Sequence, residues 1–223
     1  MESKDYDELE NLEILDAARK EYDRLFEEDQ QRIEAERILN LVTENTWYEI
    51  YEGDVYQFNP DGTGDHSGSS INFEINGGMI SITEGAAGTE TATLNIVETD
   101  DSVKLVPEGN SSYYATESDY AVISEGIHAE YTAELTSYEA WTVRNGSAFS
   151  MYFMFSEGGT GWAVMYAGTC GLEWEFVDNN TIKIVVWTSS DSSMSAEYDI
   201  FNDNGSYSLV QVNNSNVTAT PKV

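Results

Sequence analysis

Few side chains in this sequence are spaced to do covalent chemistry. A nucleophile needs a base within hydrogen-bond reach, and the only histidines, His66 and His128, are both distant in sequence from the single thiol, Cys170. Gly168-Thr169-Cys170-Gly171 reads as a hairpin turn carrying a small buried thiol. The 41 Asp and Glu residues make a glycosidase-type carboxylate pair formally available, yet no spacing singles out two of them. Oxygen ligands recur in Asn59-Pro60-Asp61-Gly62-Thr63-Gly64-Asp65 and in Asn202-Asp203-Asn204-Gly205-Ser206. Neither segment has the downstream acidic ligand of an EF-hand loop, and Pro60 and Gly62 read as turn residues. His66 beside Asp65 falls short of a zinc set. The residues thus predict no enzyme, no metal site and no cofactor. The chemistry they offer is noncovalent: aromatic and apolar side chains on strands that something must cover.

Composition narrows the partners. The chain has 223 residues and a formal net charge of −31, a field that repels nucleic acid phosphate and anionic membranes. One cysteine forms no internal disulfide, and no apolar run approaches the length of about 18 residues needed to span a membrane. With 40% apolar residues the chain can bury one large core or two small ones.

Residues 1–46 hold 15 acidic and 6 basic side chains, the rest 26 acidic and only 4 basic. In this first segment Leu9, Leu12, Leu15, Ala18, Tyr22, Leu25 and Phe26 recur at spacings of three and four, interleaved with arginines. The pattern predicts a long amphipathic helix, or two, from about Tyr6 to Val42, N-capped by Asp5 or Asp7 and docking on the rest of the protein. A partner helix is the alternative occupant of the stripe.

After Thr46 short alternating runs punctuated by Gly, Asn, Asp and Ser announce strands and tight turns. The same signals come twice in the same order. A Leu precedes Trp47 by six residues, and another precedes Trp141 by six. Tyr56-Gln57-Phe58 and Thr63-Gly64 are matched 97 residues later by Phe153-Met154-Phe155 and Thr160-Gly161. Phe73-Glu74-Ile75 before an Asn-Gly turn is echoed by Trp174-Glu175-Phe176 before Asp178-Asn179-Asn180. The reading is therefore mainly β: a helical segment at 1–46, a first antiparallel meander or barrel at 47–106, a connector at 107–140 with a short helix or strand, and a second module at 141–223. Whether the modules form one fused barrel or two small ones is left open.

The order of a Leu, Trp47, a Tyr-x-Phe strand, Asn-Pro-Asp-Gly-Thr-Gly and a Phe-x-Ile strand with an Asn-Gly turn resembles the small bacterial lipocalin-like modules. The second copy keeps Trp141, Phe155, Gly159, Thr160 and Gly161 but has Gly158 in place of the Asp. Asn45 and Glu139 stand where such modules carry a glycine near the Trp. The resemblance covers about 130 residues. It implies that each Trp packs across the bottom of a barrel and that the Asp-Gly-Thr-Gly turn joins two early strands. It also implies the company of secreted proteins and lipoproteins, some of which carry small apolar ligands.

Alternation in the first module leaves one face wet, but in the second Met151, Phe153 and Phe155 alternate with Tyr152 and Met154, and Ile182, Ile184 and Val186 with Lys183, Val185 and Trp187, which leaves apolar groups on both faces. The covers considered are the rest of the chain, a partner subunit or a small hydrophobic ligand. A ligand held inside the barrel would meet Phe155, Trp162, Trp174 and Tyr198. The expected function is noncatalytic binding of a small hydrophobic ligand or a surface partner by an extracytoplasmic bacterial protein, secreted or lipid-anchored, whose leader has been removed. If Met1 is native, the alternative is an acidic cytoplasmic protein that binds a basic protein, as immunity proteins and nucleic acid mimics do.

Overall fold

The computed structural model describes residues 3–84, 89–189 and 191–222, with side chains described from residue 14 onward except at 89–91. The chain is mainly β: a long N-terminal helix and two closed eight-stranded antiparallel barrels joined by a second helix. Each half consists of a helix followed by its barrel.

Helix α1 (Ser3–Thr43) is one continuous element of 41 residues, free of Gly and Pro. Because it begins at Ser3, Asp5 and Asp7 lie inside its first turns instead of capping it; their side chains, and those of Leu9 and Leu12, lie outside the described residues. Ion pairs at three- and four-residue spacing lace its surface, among them Lys20–Asp16 at 2.8 Å and Arg32–Asp29 at 2.6 Å. The docking expected of the stripe fails over most of its length. Leu15, Tyr22, Leu25 and Phe26 are all more than half exposed, and burial begins only at Ile38 and Val42. Those two residues enter the first core because the helix meets the barrel only with its final turns.

The first barrel comprises β1 (Thr46–Glu49), β2 (Val55–Phe58), β3 (Thr63–His66), β4 (Ser69–Asn76), β5 (Met79–Glu84), β6 (Thr89–Glu98), β7 (Val103–Pro107) and β8 (Tyr114–Thr116). Pairing of β1 with β8 closes it, Trp47 standing opposite Thr116. The sequence places the end of this module at 106, but the closing strand lies beyond it, inside the supposed connector. Thr116 then caps helix α2 (Glu117–Ser137), its hydroxyl accepting from the Asp119 amide.

The second barrel follows with β9 (Trp141–Asn145), β10 (Ala148–Ser156), β11 (Thr160–Met165), β12 (Gly168–Phe176), β13 (Thr181–Ser189), β14 (Ser192–Asp203), β15 (Ser206–Gln211) and β16 (Asn214–Pro221), closed by β16 on β9. Helix α2 runs along the wall of the first barrel, Tyr120 stacking on Tyr48 at 5.0 Å. It then crosses the floor of the second, so the barrels stack top to floor. At their junction the buried Asn179 donates from Nδ2 to the Ile50 carbonyl at 2.7 Å.

Each floor is built alike. The Trp47 Nε1–H donates to the Val42 carbonyl and the Trp141 Nε1–H to the Leu135 carbonyl, both at 3.0 Å. Both indoles are fully buried. Each thus satisfies a carbonyl that the end of its helix would leave orphaned, and plugs its barrel at the same time. One turn earlier in each helix a side chain ties the foot to the sheet. Arg37 reaches Glu98 on β6 at 2.8 Å, and Glu130, 93 residues on, accepts from the Tyr207 hydroxyl at 3.1 Å.

The Arg37 guanidinium holds the Glu98 and Glu34 carboxyls below the usual glutamate range, chiefly through hydrogen bonds. A depressed folded-state pKa contributes stability above the unfolded value of about 4.3 and loses it as the pH falls through the folded value. The denaturant midpoint of Glu98→Gln should therefore lie slightly below wild type at pH 7. The difference should shrink as the pH falls below about 4.3 and vanish only below the depressed folded-state value.

Candidate functional site

Neither barrel is a hollow calyx. In the first, Phe58 meets Phe73 edge-on at 4.8 Å and stacks with Tyr56 at 5.5 Å, while Ile80, Ile82, Leu94 and Leu105 fill the remainder. In the second, Phe155 and Trp174 meet at 5.8 Å and Phe153 and Tyr198 at 5.9 Å. Of the four residues read as ligand-lining, the structure brings Phe155, Trp174 and Tyr198 together, all buried as packed core. Trp162 does not join them: it is 55% exposed on the outer wall, because strand alternation turns Ala163 inward in its place. Trp174 also spends its indole N–H inside the protein, on the Ser156 and Thr160 carbonyls. The second barrel keeps a hollow of about 250 Å³, lined by Met151, Phe153, Ile184, Val186, Met194 and Tyr198.

At the mouth of the first barrel His66 stacks on Tyr56 at 4.1 Å, with Nδ1 3.0 Å from Glu84 Oε1. The neighbouring Ser67 hydroxyl donates to Asp54 at 3.1 Å, and the other oxygen of that carboxylate lies 3.9 Å from the His66 Nε2. Burial pushes the Tyr56 phenol up to about 12, so it stays protonated at neutral pH. These contacts make a packed polar rim. Among the described residues no group of three or more His, Cys, Asp or Glu is placed to hold a metal ion, and no helix is long and apolar enough to cross a membrane.

A hollow of about 890 Å³ lies under α1 at the floor of the first barrel. Ala35, Ile38 and Leu39 of the helix form one wall. Phe73 and Ile75 of β4 form the other, and the turns at Pro60–Gly62 and Asn76–Gly77 close its ends. Gln30, Gln31, Glu34 and Asp61 rim it, so the groove is apolar inside and polar at its edge.

The turns that bound it follow from the Asp-Gly-Thr-Gly signal. The Asp61 carboxylate accepts from the Thr63 hydroxyl at 2.6 Å and from the Thr63 amide at 3.0 Å, bonds that hold its pKa below the usual range. Gly62 sits at φ +85°, which a side chain would strain. Its carbonyl accepts from the Phe73 amide at 2.8 Å, just as the Gly159 carbonyl accepts from the Trp174 amide at 2.8 Å.

The second module shows why the first is open. His128 stands seven residues before Leu135, two helical turns from the carbonyl that the indole caps, as Ala35 stands seven before Val42. His128 stacks on Phe176 with ring centres 4.0 Å apart and rings 4° from parallel, and its Nε2 lies 3.2 Å from the Asp178 carbonyl. Phe176 is two residues past Trp174, as Ile75 is two past Phe73. Two large rings therefore close one floor, and Ala35 and Ile75 leave the other unfilled. The sequence expectation placed the ligand inside the second barrel. The first copy carries Ala35 and Ile75, both aliphatic, at the two positions where the second copy carries the rings of His128 and Phe176.

No family model and no curated protein matches this sequence. A crystal structure from Bacteroides fragilis NCTC 9343, described as a "putative outer membrane protein", matches at 12% identity with a TM-score of 0.21. The match covers 82% of this chain and 89% of that one.

Proposed function

We propose that this chain is a noncatalytic binding protein that holds a small hydrophobic ligand in the groove between α1 and the floor of the first barrel. The observation that carries this reading is the 890 Å³ groove with apolar walls at the place where the duplicated module is plugged by His128 on Phe176. The volume lies in the range of small-molecule sites, and an apolar interior with a few polar groups at the rim suits an amphipathic or wholly apolar guest. The acidic surface and Glu34 and Asp61 at the rim disfavour an anionic headgroup, so the guest is neutral or cationic at its polar end. The resemblance to small bacterial lipocalin-like modules points to the same class of function and to an extracytoplasmic location.

Native mass spectrometry of the purified full chain, followed by titration with the neutral dye Nile red, tests this. One dye is expected to bind per chain with enhanced fluorescence, displaced by any copurified lipid. Leu39→Asp, which puts a charge on the apolar wall, is expected to weaken dye binding at least about tenfold, because desolvating an unpaired carboxylate costs more than the roughly 1.4 kcal/mol that this represents. Dye binding unaffected by Leu39→Asp would remove the groove as the site.

A further inference from the structure

We propose that the outer wall of the second barrel carries a separate site for the quaternary ammonium group of a small molecule, formed by Trp162, Gly171, Trp187 and Glu173. Register places the first three in one row across neighbouring strands: Trp162 pairs with Gly171, and Gly171 pairs with Trp187. Paired residues share a face, so the two indoles stand on either side of a residue with no side chain, two strand spacings apart, or roughly 9.5 Å. A Cβ built on Gly171 would meet nothing within 4 Å. Trp162 is 55% and Trp187 40% exposed, so each offers a ring to solvent.

Glu173 is the next outward residue on the same strand, paired with Thr160 on one side and Val185 on the other, and so lies diagonal to both indoles. It forms part of the wall of a hollow of about 350 Å³ that opens beside the row and could take the rest of the guest. The nearby Lys183 pairs with Glu175 at 3.7 Å, so the cation already present is directed to the neighbouring carboxylate.

The fold does not require this arrangement. At the same register the first barrel pairs Asp65 with Ser70, followed by Asn72, all polar. Two ring faces attract a cation through their quadrupoles, Glu173 adds a compensating charge, and the net charge of −31 concentrates cations around the protein. An alkylated ammonium fits better than a bare ammonium, since its methyl groups gain from leaving water for the indole faces. The site is independent of the groove.

The test is calorimetric titration of the full chain with choline and with the uncharged isostere in which carbon replaces nitrogen, read in parallel by tryptophan fluorescence. Choline is expected to bind and the isostere to bind at least roughly threefold more weakly. Trp162→Ala, Trp187→Ala and Glu173→Gln are each expected to weaken choline roughly three- to thirtyfold. Gly171→Val, which fills the space between the rings, should weaken it comparably, while Nile red binding stays unchanged. Three results would each overturn the proposal: no choline binding, equal affinity for the isostere, or choline binding indifferent to both Trp variants. Should one Trp variant fail to fold, the wild-type comparison of choline with its isostere still decides.

Discussion

Trp141→Ala is expected to unfold the second barrel at a denaturant concentration where the first remains folded. The indole is fully buried at the barrel floor, against Phe155 at 6.1 Å and Tyr138 at 5.6 Å, so its loss removes the plug and opens a cavity. Truncations of this kind cost about 3–5 kcal/mol. The Leu135 carbonyl also loses its donor, adding about 1 kcal/mol. Because domains of this size are stable by only about 5–15 kcal/mol, the sum is a large fraction of the whole. Trp141→Phe separates the two contributions, keeping most of the ring burial while orphaning the carbonyl, and should cost about 1–3 kcal/mol. Trp47→Ala should do the same to the first barrel. Urea unfolding followed by near-ultraviolet circular dichroism reads the outcome, and a single unshifted transition in both alanine variants would show that the indoles are not the floor plugs.

Gly161→Ala is expected to be as damaging, for a different reason. A Cβ on Gly161 would stand 2.1 Å from the Met154 carbonyl oxygen of the paired strand, and one on Gly64 would stand 2.4 Å from the Gln57 carbonyl oxygen. Backbone cannot swing aside as a flexible side chain can, so the β10–β11 or β2–β3 pairing must open at the turn. We expect a loss of at least about 3 kcal/mol from either alanine. Gly171→Ala, on the same barrel and with nothing within 4 Å of its Cβ, is the control and should stay within about 0.5 kcal/mol of wild type. Equal stability of the Gly161 and Gly171 variants would contradict the close strand approach.

These two predictions rest on features that the sequence displays directly. Alternation of apolar and polar residues, Gly turns and a Trp at the head of each copy are local signals, and two related β modules follow from them, though not that each closes as its own eight-stranded barrel. Strand β8 was not legible in the same way. Tyr114–Thr116 is only three residues long, and what makes it a strand is pairing with β1, nearly 70 residues earlier in the chain. Helix α2, expected only as a short helix or strand in the connector, runs for 21 residues despite its Tyr, Ser and Glu content and Gly126, and Thr116-Glu117-Ser118-Asp119 is a recognisable N-terminal cap signal. The stripe of α1 was visible, but a periodic stripe records a capacity to pack, and nothing in the spacing of Leu15, Tyr22 and Phe26 says that the barrel would begin only at Ile38.

The candidate site was the least legible part. Trp162 looked like lining because it is aromatic, whereas its place between Gly161 and Ala163 assigns it to the outer wall. The groove itself depends on the absence of rings at Ala35 and Ile75, residues forty apart that line the same hollow only because α1 crosses the floor.

That dependence supplies the most direct test. The double variant Ala35→His and Ile75→Phe transplants into the first floor the two rings that close the second. If the groove is the ligand site, the folded variant loses Nile red binding and any copurified apolar molecule, with its far-ultraviolet spectrum and melting temperature retained. A folded double variant that binds dye as tightly as wild type would contradict the account.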